Sequence, residues 1–196
     1  MYPPAHTPGI PTYSARPRGT RALGVGAEDA VRPWWEGKRQ RRRALGDDCL
    51  VCKEHRLEVT LPGGHLVSTD EVVAFHLPPW PPAPDVYLGY LMVTPRRHAA
   101  GFADLDDDEA AAMGRFIARL SRALQSIGAE RVHSFTVGHA VAPLHVHLLP
   151  RWPGTPEHVP WHQVSEWEHA PRGDFDAATA VSAQLLAVLA SYTGRS

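Results

Sequence analysis

The chain has 196 residues, with 20 Lys+Arg against 21 Asp+Glu and a formal net charge of −1. That length suits one domain, or one domain with a tail, and the charge balance argues against a histone-like protein coated in nucleic acid. A hydrophobic fraction of 43% excludes wholesale disorder. No apolar run approaching the roughly 20 residues of a spanning helix and no secretory leader is read in it, so a cytoplasmic protein without a membrane partner is expected.

In chain order, residues 1–46 read as a flexible, proline-rich, basic arm. Pro3, Pro4, Pro8, Pro11 and Pro17 break any periodicity, and the arm runs into Lys38-Arg39-Gln40-Arg41-Arg42-Arg43. Residues 1–45 hold nine basic and three acidic side chains, which leaves the remainder at −7. The cluster at 38–43 could touch RNA, DNA or another polyanion, but its composition fits a solvated arm beside an acidic domain better. Residues 47–196 read as the folded domain. Strands are predicted at Arg56 to Leu61, Glu71 to Leu77 and Tyr87 to Thr94, with the prolines of Pro78 to Pro84 forming a loop. Asp106 and Glu109 have the spacing of a capping box, and Met113, Phe116, Ile117, Leu120, Leu124 and Ile127 form a helical stripe that Gly128 ends. Arg115, Arg119 and Arg122 lie off that stripe, on a face expected to be solvated. Two strands, Arg131 to Val137 and Leu144 to Leu149, precede a last helix from about Asp174 to Tyr192 with Val181, Leu185, Val188, Leu189 and Tyr192 on one face. Grouped strands with helices between them predict an α+β domain with an antiparallel sheet, a long amphipathic helix packed on it and a C-terminal helix.

The chemistry-bearing segment is Pro143-Leu144-His145-Val146-His147-Leu148-Leu149-Pro150-Arg151. In a strand, His145 and His147 share one face while Val146 and Leu148 enter the core. One imidazole can attack a phosphorus atom while its neighbour hydrogen-bonds the oxygens that gather charge, and Arg151 could add a fixed positive charge. Alone, His-x-His equally describes a zinc-binding pair or two half-exposed strand residues. Cys49 and Cys52 are spaced to reach one tetrahedral ion, or they are two reduced core cysteines, or a local disulfide. Trp152, Trp161 and Trp167 read as cover for the core or a dimer seam, and His158, His162 and His169 as surface residues of a proline-rich loop, with His162 close enough to the strand to be a pocket candidate.

Four segments together resemble the histidine-triad family. These are Cys49-Leu50-Val51-Cys52; Gly89-Tyr90-Leu91-Met92-Val93-Thr94-Pro95-Arg96-Arg97-His98; the acidic helix start Asp104 to Glu109; and Pro143 to Arg151, preceded by Ser134 to His139. The resemblance covers about residues 47–170. It implies an α+β domain, usually homodimeric, that binds nucleotides and acts as a nucleotide phosphohydrolase or nucleotidyl transferase. The intermediate it implies is a nucleotidyl-histidine on His145, with His147 as the phosphate contact and no organic cofactor. Two departures stand out. Pro143 occupies the first triad position and Tyr90 the place of a histidine, so a specialised reaction, one serving a biosynthetic pathway, or a non-catalytic nucleotide-binding module is the alternative. His139 is a candidate to replace a missing function. Zinc-bearing relatives imply a structural zinc on Cys49, Cys52 and His98, with His139 or His55 as the fourth ligand. Base preference is expected from the strands between Arg56 and Leu77.

Overall fold

The computed structural model describes residues 49–137 and 143–193. The arm at 1–46, its basic cluster and His139 therefore lie outside the described residues. Among these, α1 (Leu50–His55) leads to β1 (His65–Ser68), β2 (Val72–His76), β3 (Val86–Tyr87), β4 (Leu91–Pro95), α2 (Asp107–Ser126), β5 (Arg131–Phe135), β6 (Val146–Arg151), β7 (Arg172–Gly173) and α3 (Phe175–Thr193). Five strands form an antiparallel sheet in the order β1-β2-β4-β6-β5, and β3 pairs with β7 in a small second sheet.

The α+β class follows from period-2 burial. Val72, Ala74, Leu91, Val93, Val146 and Leu148 point to one face, where α2 and α3 cover them with Met113, Leu120, Leu124 and Leu185. Both arms of the α2 capping box are made: the Glu109 amide donates to Asp106 Oδ1 at 2.8 Å and Glu109 Oε2 accepts from the Asp106 amide at 3.0 Å. Arg97 binds the same Glu109 carboxylate through Nε at 2.7 Å, which ties the segment after β4 to the start of α2. Arg119 lies over the Phe116 ring at 5.7 Å, while Arg115 and Arg122 are exposed.

Three expectations are corrected. Arg56 to Leu61 is not a strand: Arg56 caps α1, Leu57 takes a positive φ of 56°, and the Glu58 amide returns to the Lys53 carbonyl at 2.9 Å. The pairing strand is instead β1, beyond the Pro62-Gly63-Gly64 turn. Tyr87 to Thr94 is two strands, because the chain turns at Gly89 (φ 82°), where a Cβ would stand 2.8 Å from the Trp152 ring. The Gly89 amide donates to His76 Nε2 at 2.8 Å, and His76 Nδ1 donates to the Leu77 carbonyl. Lastly, Phe175–Tyr192 of α3 has a mean hydropathy of 1.3 and is, by length and composition, long and apolar enough to cross a membrane. Its inner face is formed by Ala178, Ser182 and Leu185, which are fully buried, with Val181, Val188, Leu189 and Tyr192 beside them as the spacing predicts.

Candidate active site

The sheet face away from the long helices carries the polar chemistry. On β6, His147 alternates with Val146 and Leu148 and stands opposite Met92 of β4 and Phe135 of β5. His145 precedes the strand on the same side, its ring centroid 5.0 Å from that of His147 at an interplanar angle of 83°. Both imidazoles line a cavity of about 400 Å³, whose other walls come from α1, the loop after β2 and the small β3–β7 sheet. The approach to His145 is held by backbone: the Leu144 amide donates to the Ala99 carbonyl at 2.6 Å.

The two rings differ in environment. His145 Nδ1 lies 2.8 Å from the Pro143 carbonyl oxygen. A carbonyl only accepts, so Nδ1 carries a proton, and in the neutral form of the ring Nε2 is the nitrogen with the lone pair. His147 stacks on Phe135 (5.0 Å, 15°) and leans on Tyr90 (5.5 Å, 50°). Burial there, reinforced by the neighbouring His145, lowers its pKa to about 4, so the ring is neutral at physiological pH. Its Nδ1 is sealed without a partner. Burial likewise pushes the Tyr90 phenol up to about 12, so the residue in the place of a histidine is a neutral aromatic wall.

The other expected ligand contacts fall elsewhere. Arg151 is outside the cavity: its guanidinium donates to the carbonyls of Thr155 (3.2 Å), Pro156 (2.7 Å) and Val159 (3.0 Å) and so ties down the loop after β6. His162 is exposed on a short 3-10 turn, edge-on to Trp161. Trp161 packs on Phe135, behind His147. Trp152 donates its indole N–H to the Leu88 carbonyl at 2.8 Å, and Trp167 packs beside buried Val159 and Val164.

Cys49, Cys52 and His98 come together, their ligand atoms all within 4.8 Å of one another and Cys52 Sγ 3.4 Å from His98 Nδ1. Tetrahedral zinc, with bonds of about 2.3 Å to sulfur and 2.0 Å to nitrogen, requires such spacing, and two thiols with an imidazole are a donor set it favours. The cysteines are not joined in a disulfide. His55 does not join the cluster. Its Nε2–H donates to Thr94 Oγ1 at 2.6 Å while the Thr94 hydroxyl donates to the Val73 carbonyl, and burial lowers the imidazole pKa to about 4.

Residues 65–154 match the family model of the HIT domain. The chain carries a HIT domain. Among solved structures, a hypothetical histidine triad nucleotide-binding protein from Sulfolobus tokodaii superposes with a TM-score of 0.57 at 17% identity, over 74% of this chain and 94% of that one. A zinc-bound histidine triad family protein from Mycobacterium smegmatis gives 0.55 at 16% identity, over 76% and 98%. A HIT-like protein involved in cell-cycle regulation from Bartonella henselae gives 0.53 at 17%, over 72% and 96%. At these identities the likeness shows the fold. No curated protein matches the sequence.

Several cavity residues of this HIT domain escaped the sequence reading. Glu54 of α1 is 3% exposed and lines the cavity with Leu50 and Val51. Burial raises its carboxyl pKa to about 7. Asp85, just before β3, and Arg172 of β7, paired at 2.9 Å, complete the rim with Trp80 of the proline loop. Of the Arg56 to Leu77 segment expected to supply the pocket, only Leu77 lines it. No local signal marked Glu54, which stands between Lys53 and His55 in the sequence.

Proposed function

We propose that this protein is a nucleotide phosphohydrolase or nucleotidyl transferase that works through a nucleotidyl-histidine on His145. The observation that carries the reading is the hydrogen bond from His145 Nδ1 to the Pro143 carbonyl, beside a second imidazole on the same cavity wall. Proline at the first triad position removes a side chain but keeps the carbonyl, so the tautomer that leaves Nε2 nucleophilic survives. Nε2 attacks phosphorus, the phosphorus–oxygen or phosphorus–nitrogen bond to the leaving group breaks, and the leaving group departs with that electron pair. Water or another acceptor then attacks the phosphoramidate, releasing the nucleotide and restoring the imidazole. His147, neutral and with Nδ1 sealed, holds its proton on Nε2 and donates it to a phosphoryl oxygen.

A second reading, a nucleotide-binding module with weak or specialised turnover, has its own support. Among the described residues the cavity wall carries one cation, Arg172, and that guanidinium is already committed to Asp85 and to the Ser165 carbonyl. Charge developing at phosphorus therefore meets neutral donors. Intact-protein mass spectrometry after incubation with AMP-phosphoramidate or a dinucleoside polyphosphate separates the readings. A nucleotidyl adduct that His145→Ala abolishes supports the enzyme, whereas micromolar AMP binding without adduct or turnover supports the module.

Cys49, Cys52 and His98 would hold a structural zinc, which when bound would cross-link α1 to the segment between β4 and α2. A homodimer is part of the same reading, supported by β5, which ends the sheet with one backbone edge unpaired by any described strand. The cytoplasmic setting stays with the reduced cysteines that such a zinc site needs.

A further inference from the structure

Of the tryptophans among the described residues, Trp80 is the one left bare. Trp152 donates its indole N–H to a carbonyl, Trp167 lies edge-on to His169, and Trp161 packs on Phe135 and His133. Trp80 has no indole hydrogen bond and no aromatic neighbour among these residues, and it is 55% exposed. It nevertheless lines the cavity that His145 and His147 share. The loop holds it there. Pro78, Pro79, Pro81 and Pro82 fix four φ angles around it, and the Ala83 amide donates to the Trp80 carbonyl at 2.9 Å, closing a turn. Leaving a large indole in water forgoes the burial that normally stabilises tryptophan. A stiff loop, in turn, loses little freedom when a ligand settles on it. The same loop adds Leu77, Pro78 and Ala83 to the wall, and the volume of about 400 Å³ is that of a small-ligand site. An indole bare at such a rim offers a π-face on which a flat ring can lie.

We propose that Trp80 stacks its indole on the base of the bound nucleotide while His145 and His147 face the phosphoryl group. The inference rests on the nucleotide reading above and adds a substrate class: nucleoside phosphates of any base, in preference to sugar phosphates that have none. Stacking engages the face of a ring, which every base has, rather than the donors and acceptors along its edge. Purines, with the larger face, gain more from it than pyrimidines do.

Calorimetric titration of the full chain with AMP, GMP, CMP and ribose 5-phosphate tests this, using the wild type, Trp80→Ala and Trp80→Phe. The wild type should bind the three nucleotides within about tenfold of one another, and each more tightly than ribose 5-phosphate. Trp80→Ala should weaken all three by about tenfold or more, leave ribose 5-phosphate unchanged, and keep the melting midpoint, because the side chain stabilises no core. Trp80→Phe, which keeps an aromatic face, should recover most of the loss. A loss confined to one base, or shared equally by ribose 5-phosphate, would overturn the stacking role. So would nucleotide binding that neither substitution moves, which would leave the nucleotide reading standing. No binding of any nucleotide to the wild type would overturn both.

Discussion

The two faces of the central sheet are made by the same strands and do opposite things. On the helix side, Val146 and Leu148 of β6 meet Met113, Leu120 and Leu124 in a closed apolar layer. On the other side, His145 and His147 share a cavity with an unpaired carboxyl, and Nδ1 of His147 and Oε2 of Glu54 are buried without partners. One face supplies stability mainly by removing apolar surface from water, although Ser182 Oγ of α3 is buried there without a partner; the other retains an imidazole nitrogen and a carboxyl oxygen without partners beside the cavity. A strand shared in this way holds the site rigid, since a shift of β6 would disturb the core before it moved an imidazole.

Substitutions along β6 separate the faces. His145→Ala should reduce turnover by about 10³-fold or more, with an unchanged circular dichroism spectrum and melting midpoint; a comparable loss of stability would break the contrast. Leu148→Ala, two residues past Val146 on the buried side, should cost about 2–5 kcal/mol in urea denaturation while any folded fraction keeps its adduct chemistry. The cysteine cluster lies at the junction of α1 with the segment after β4. Purified protein should carry one zinc by elemental analysis, and either Cys52→Ser or a strong chelator should remove it and lower Tm, by about 2–4 °C for each kcal/mol lost.

The smallest expected effect is on pH dependence. His147 and His55 titrate near 4 in the fold, and His76 is also lowered, against about 6.5 in a free chain. Below 6.5 the unfolded chain binds more protons, so the stability these histidines contribute is complete above that value and is lost as pH falls towards 4. Glu54, raised to about 7, acts in the opposite sense, contributing stability below its unfolded value of 4.5 that is lost as pH rises through 7. Three histidines outweigh one carboxyl. The urea midpoint should therefore be lower at about pH 5 than at about pH 7.5, and NMR should show the His147 ring protonating near 4.

Much of the helix side was legible because periodicity carries it. The stripe from Met113 to Ile127, the Asp106–Glu109 capping box and the Val181 to Tyr192 face of α3 each follow from local spacing. The errors arose where contacts made in the fold, some local and one far along the chain, overrode residue preference. Arg56 to Leu61 has strand-like residues, but α1 ends there and the backbone folds back onto Lys53. Gly89 interrupts an apolar run because Trp152, far along the chain, packs against it. Arg151 looked like a phosphate contact from its place in the motif, yet the carbonyls of Thr155, Pro156 and Val159 already hold it.

By itself the sequence determined the fold class, the shared face of His145 and His147, and the Cys49–Cys52–His98 set, because each depends on residue type at short spacing or on co-linear motifs. Tertiary structure alone decided which nitrogen of His145 is free, why His147 is neutral and which side chains wall the cavity. Those properties depend on burial, on rings arriving from elsewhere in the chain and on the backbone turn that aims the nearby Pro143 carbonyl at His145 Nδ1, and no residue pattern encodes that geometry.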